Sequence, residues 1–196
     1  CGVDIILNPS ASHFAFGKHE VRKRFVLEGS RSFGVSYVYA NLVGNEAGRA
    51  IYDGGALIAS GGDLIAAGPR FQFRETDVVA ADVDVELTRT RRAGIHSMAA
   101  HVAEDVFDRI IPIKGRFRPT DSPLESPREL QTESKADEFT QAISLALFDY
   151  LRKSRSWGFV ISMSGGADSS ACAVLIRSMV ERGVHDLGLR EFKSRL

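Results

Sequence analysis

The stretch SMSGGADSSA, residues 162–171, limits the folds open to this chain more than any other. Before it runs WGFVISM, rich in β-branched and aromatic residues as a strand is. After it runs SSACAVLIRSMVERG, which reads as a helix. The loop therefore lies between a strand and a helix. At such a junction the first N–H groups of the helix have no intrahelical partner and meet the positive end of its dipole. Gly165 and Gly166 let the backbone turn tightly and approach a ligand with no Cβ in the way. Ser164 and Ser169 add hydroxyl donors. These parts predict an anion cradle. Asp168 would repel a bare phosphate, so it fits a phosphate only where a divalent cation bridges the two. The plainer reading of the same residues is a helix N-cap behind a glycine-rich turn. A Walker loop is excluded, because no Gly-Lys-Ser/Thr is present.

The rest of the chain supports an α/β reading. Val3 to Leu7 is a short apolar run broken only by Asp4 and predicts a buried strand. NPSASHFAFG has loop chemistry. Residues 18–34 have helical spacing, with Val21, Phe25 and Val26 on one side. VSYVYAN (35–41) predicts a strand, and Gly61-Gly62-Asp63 splits two apolar stretches as a hairpin turn does. Alternation from Val79 to Val85 predicts a half-exposed strand with Asp82 and Asp84 on one face. Paired acids can do acid–base work, or simply line a solvated face. Residues 115–135 carry Pro119, Pro123 and Pro127 among Ser, Thr and charges, and predict a linker. From Ala136 the spacing of Phe139, Ile143, Leu147 and Leu151 predicts a helix that packs in the core.

Bulk properties narrow the function classes. Of 196 residues, 44% are hydrophobic, enough for a packed core. Lys plus Arg and Asp plus Glu number 25 each, so bulk charge favours neither a nucleic-acid nor a membrane partner. Arg89, Arg91 and Arg92 form a small basic cluster, read either as a solvated helix face or as a contact for RNA. The two cysteines, Cys1 and Cys172, make no disulfide framework, and a reducing, cytoplasmic setting is expected. Cys172 is expected to be a small buried hydrophobe. Cys1-Gly2 also begins like an N-terminal-nucleophile amidotransferase, although no other part of that fold is visible. The start at Cys1 on a strand-like run, and the end on a helix-like run, predict a piece of a longer protein.

Ser164-Gly165-Gly166-Ala167-Asp168-Ser169 resembles the SGGxDS signature of the ATP pyrophosphatase superfamily. Its members cleave ATP to AMP and pyrophosphate and activate a carboxylate or carbonyl as an adenylate. The resemblance implies an ATP-binding loop of Ser162, Met163, Ser164, Gly165, Gly166, Ala167, Asp168 and Ser169, with Asp168 at the magnesium-associated position. Ser162 stands where a glycine is common. GVDIILNPSASHFAFGKHEVR and VYANLVGNEAGRAIYDGGALIASGGDLIAAGPRF resemble segments of the nitrilase, or carbon–nitrogen hydrolase, superfamily that follow its catalytic cysteine. Within that family a serine and a basic residue six positions later bind glutamine, which implies Ser12 and Lys18. The same two residues could instead bond the local backbone and solvate the helix.

The two halves in this order resemble the glutamine-dependent NAD synthetase family. The fold implied is the C-terminal part of a nitrilase-like α-β-β-α sandwich (1–114), a Pro-rich linker (115–135), and the start of a Rossmann-like ATP pyrophosphatase domain with a parallel sheet (136–196). The reaction implied is glutamine hydrolysis to ammonia, adenylation of nicotinic acid adenine dinucleotide by ATP, and attack of ammonia to give NAD. ATP and Mg2+ are the implied cofactors and a homo-oligomer the implied assembly. The catalytic Glu, Lys and Cys of the glutaminase are expected upstream of residue 1, so these 196 residues alone should be inactive. Alternatives are another SGGxDS ligase or tRNA-modifying enzyme, and a nitrilase-like amidase with a degenerate second half.

Overall fold

The computed structural model describes residues 2–46, 48–94, 111, 112, 115 and 133–196. The predicted linker therefore lies outside the described residues except at Gly115 and residues 133–135. The described chain is mixed α/β. It runs β1 (Ile5–Ser10), α1 (Lys18–Phe33), β2 (Ser36–Asn41), β3 (Val43–Glu46), β4 (Ala50–Asp53), β5 (Ala56–Ser60) and β6 (Asp63–Ala67). Four helices follow: α2 (Val85–Ala93), α3 (Lys135–Ser154), α4 (Ala167–Leu187) and α5 (Leu189–Arg195).

Four strands form one sheet in the order β1-β2-β5-β6, and β3 and β4 form a separate hairpin. β1 and β2 are parallel, joined by α1, while β2, β5 and β6 are antiparallel. The β5–β6 turn is the predicted one, with Gly61 and Gly62 both at positive φ, 61° and 100°, as a two-residue hairpin requires. Tyr37 and Tyr39 face Ala59 and Leu57 across the β2–β5 pair and bury one face of the sheet against Val26 of α1.

α1 ends where predicted. Gly34 adopts a left-handed conformation, its N–H reaching Arg31 O and that of Val35 reaching Ser30 O, which closes the helix as a Schellman motif. The buried face of α1 is not the predicted one. His19, Arg22, Val26 and Ser30 point inward, while Val21 and Phe25 are exposed. The cause is a buried acid, Asp53, that draws Arg22 under the loop after β1. β1 also departs from expectation: it starts at Ile5, continues through Ser10, and leaves Ile5 and Leu7 exposed. Ile5 and Leu7 alternate onto one face of the strand, and that face is uncovered among the described residues.

The predicted strand over Val79–Val85 does not form. Asp84 instead accepts a hydrogen bond from the Leu87 N–H at 2.9 Å and caps α2, so Asp82 and Asp84 share no strand face. Arg89 and Arg92 of α2 pair with Asp4, and Arg91 reaches the carbonyl of Gly61, so the basic cluster ties this helix to the sheet.

α3 begins on a capping box between Ser134 and Asp137. Its buried residues include Glu138, Ala142, Leu145, Phe148, Asp149 and Leu151. Leu151 is thus core as predicted, but Phe139 is exposed. Phe71 packs with Ala142 and Leu145, and Phe73 packs with Phe148, Leu151, Met179 and Phe192. Two phenylalanines from the segment after β6 therefore join the halves in shared apolar clusters. Asp149 adds a polar tie, accepting the Asn45 N–H at 2.7 Å.

WGFVISM is not a strand here. Trp157 and Val160 are fully exposed, and no described segment supplies the neighbouring ladder that β propensity needs. Among the described residues the second half is helical and contributes no strand to a parallel sheet. Cys172 is exposed, contrary to expectation: it shares the helix face of Ile176 and Met179, but the packed cluster on that face starts only at Ile176.

Candidate functional site

The loop after β1 is built on the backbone of the β3–β4 hairpin. His13 bridges to Tyr52, and the Phe14 N–H donates to Ile51 O at 2.6 Å. Ser12 lies half-buried in this loop, and Lys18, also half-buried, opens α1. Gly17, at φ 72°, allows the sharp entry into the helix.

Beneath Ser12 lies a charged array that the sequence pattern did not reveal. Arg22 grips Asp53 with two hydrogen bonds of 2.7 and 2.9 Å. Arg70 reaches the same carboxylate, its Nε at 3.1 Å. On its far side Arg70 meets Glu133 at 3.0 Å and Glu138 at 2.9 Å, both from the second half of the chain. Its Nη2 lies 3.0 Å from Asp53 and 2.9 Å from Glu138 without the alignment of a good hydrogen bond, so those two contacts are chiefly ionic. His19 is packed beside the array, and its Nε2 has no partner. Burial first, and then the Arg70 charge, pushes its imidazole down to about 4. No periodicity signals such an array, because its members come from four separate elements.

The second candidate site is the SGGxDS loop. Gly165 is left-handed at φ 79°, with nothing within 4 Å of where a Cβ would stand. Gly166 is the N-cap of α4, and no side chain caps this helix. Its first N–H groups are therefore open at the predicted place. The hydroxyls of Ser164 and Ser169 lie 3.2 Å apart, with Ser169 also donating to Gly166 O at 3.2 Å. Ser162, Met163, Ala167 and Asp168 are exposed around this turn. The loop has the shape of an anion cradle, with a carboxylate on the first turn of the helix. Among the described residues no group of three His, Cys, Asp or Glu side chains gathers to hold a metal. Likewise no described helix is long and apolar enough to cross a membrane.

No protein-family model matches the chain. The glutamine-dependent NAD(+) synthetase of Saccharomyces cerevisiae is 38% identical over 186 residues, covering 91% of this chain and 26% of that protein. Among solved structures, a glutamine-dependent NAD(+) synthetase from Cytophaga hutchinsonii superposes with a TM-score of 0.71 at 41% identity, over 97% of this chain and 25% of that one. The enzyme of the same name from Acinetobacter baumannii, solved in complex with adenosine diphosphate, shares the fold with a TM-score of 0.64 at 22% identity, over 92% of this chain. The chain spans about a quarter of the length of the curated relatives it matches. In sequence and in fold alike, it is similar to one portion of the glutamine-dependent NAD(+) synthetases.

Proposed function

We propose that this chain is part of an enzyme that makes NAD with glutamine as nitrogen donor. In that reading glutamine is hydrolysed to ammonia, ATP adenylates the carboxylate of nicotinic acid adenine dinucleotide, and ammonia displaces AMP to give NAD. The observation that carries it is the similarity along most of the chain, 38% identical over 186 residues and 91% of its length. Residues 1–114 would belong to a nitrilase-like glutaminase and 136–196 to a Rossmann-like ATP pyrophosphatase.

The roles follow from chemistry. Ser12 and Lys18 would bind glutamine, one through a hydroxyl and the other through an ammonium. The open N-terminus of α4, with Ser162 to Ser169 around it, would hold the phosphates of ATP. Asp168 suits Mg2+, which takes one or two carboxylates and otherwise substrate phosphates and water. The ion would offset phosphate charge there. The relative from A. baumannii was solved with adenosine diphosphate, which agrees with a nucleotide-binding role. Ammonia is mostly protonated in bulk water at neutral pH, so a closed path between the sites would favour its transfer.

The test uses the full-length protein that contains this segment. Asp168→Ala should abolish NAD synthesis from either glutamine or ammonia and leave glutamine hydrolysis intact. Lys18→Ala should weaken glutamine use while synthesis from ammonia persists. Synthesis that survives Asp168→Ala, or equal loss from both nitrogen sources in Lys18→Ala, would refute the corresponding role.

A further inference from the structure

Three elements converge on the Ser12 loop. From α1, Arg22 donates through Nη2 to Ser12 O at 2.9 Å and to His13 O at 3.0 Å, and through Nε to the Ser12 hydroxyl at 3.2 Å. At the end of β2, Asn41 clamps the Ser12 backbone from both sides. Its Oδ1 accepts the Ser12 N–H at 2.8 Å, and its Nδ2 donates to Ser12 O at 3.0 Å. Asp53, at the end of β4 and 1% exposed, accepts two bonds from Arg22 and one from Asn41 Nδ2 at 3.3 Å.

Two consequences follow from this wiring. Phe14 anchors the far side of the loop by packing against Phe71, but Ser12 itself is pinned at its peptide groups, so its position depends on the planar fork of Arg22 and the amide of Asn41. The Ser12 oxygen also already accepts from Arg22. Its single O–H hydrogen is then directed away from the guanidinium and is free to donate to a ligand. With Lys18, the loop presents donors to a ligand, which suits the acceptor oxygens of an amino-acid amide.

We propose that Arg22 and Asn41, braced by Asp53, are positioning residues that set the Ser12 hydroxyl for glutamine. This rests on the reading of Ser12 as a glutamine-binding residue, and its test separates the two. Displacing a binding group by about 1 Å can cost up to about a hundredfold. In the full-length protein, Arg22→Lys keeps a cation against Asp53 and loses the fork, while Asn41→Ala removes the clamp without stranding a charge. Each should raise KM for glutamine by about tenfold, and each should keep the rate of synthesis from ammonia, which reports correct folding. Combined with Ser12→Ala, neither should add its full effect, since residues acting through one group are not additive. If Ser12→Ala raises KM and the other two do not, or if all effects simply multiply, positioning is overturned. If the glutamine- and ammonia-dependent rates fall together, the residues are structural only, and the proposal fails. An unchanged KM in Ser12→Ala would instead sink the reading of Ser12 itself.

Discussion

Acidification should weaken this fold through His19. The side chain is 6% exposed on the inner face of α1, among Arg70, Arg22, Asp53 and Glu20, with an unpartnered Nε2. Burial and the Arg70 charge lower it from its ordinary 6.5 to about 4. A base held below its unfolded value refuses a proton that the unfolded chain accepts. Stability is therefore full above pH 6.5, falls as pH drops through the window from 6.5 to about 4, and then levels. The whole gap is worth about 3 kcal/mol, and at pH 5 the loss is about 2 kcal/mol. Asp4, held below its ordinary 3.8 chiefly by its hydrogen bond to Arg89, exchanges its proton at lower pH and does not confuse this window. Urea unfolding at pH 7.5 and pH 5 would measure the loss, with far-UV circular dichroism as the signal. Trp157 is fully exposed, so its emission changes little on unfolding. His19→Gln removes the titration and should shrink the difference between the two pH values by about 2 kcal/mol. An equal pH dependence in both proteins would refute the reasoning.

Three further outcomes rest on packing and capping. Gly183→Ala should destabilise by about 1–3 kcal/mol in urea, because its Cβ would clash with the ring of buried Phe192; a neutral result would mean that α5 shifts freely. Asp149→Ala should cost about 2 kcal/mol. It strands the buried N–H of Asn45, while Arg152 and Lys153 can still reach water. Hydrogen exchange at Asn45 should then quicken. Ser134→Ala breaks the capping box of α3 and should cost about 1 kcal/mol, visible as earlier fraying at residues 135–138.

Local chemistry was legible wherever its cause is local. The glycines at 61 and 62 demand a tight hairpin, Gly34 ends α1, and Gly165-Gly166 opens α4, because each conformation is set by a few adjacent residues. The candidate nucleotide loop could be read for the same reason: its parts lie within eight positions. Pattern reading failed once for a local reason and once for want of a long-range partner. Val79 to Val85 alternates like a strand, yet Asp84 turns the chain into α2. WGFVISM has strand composition but no neighbour among the described residues to pair with.

The sequence by itself determined the mixed α/β character, the end of α1, the hairpin, and the residues that resemble a glutamine site and an ATP loop. Only the tertiary structure decided which helix faces turn inward. It also placed Arg22, Asn41, Asp53 and Arg70 under Ser12, and it joined the halves through Phe71, Phe73 and Asp149. The physical reason is desolvation. Burying a charge is costly unless an opposite charge and several donors meet it, and those partners come from elements far apart in the chain. Glycine conformation and capping are properties of neighbours in sequence, whereas the pairing of buried charges belongs to the folded molecule.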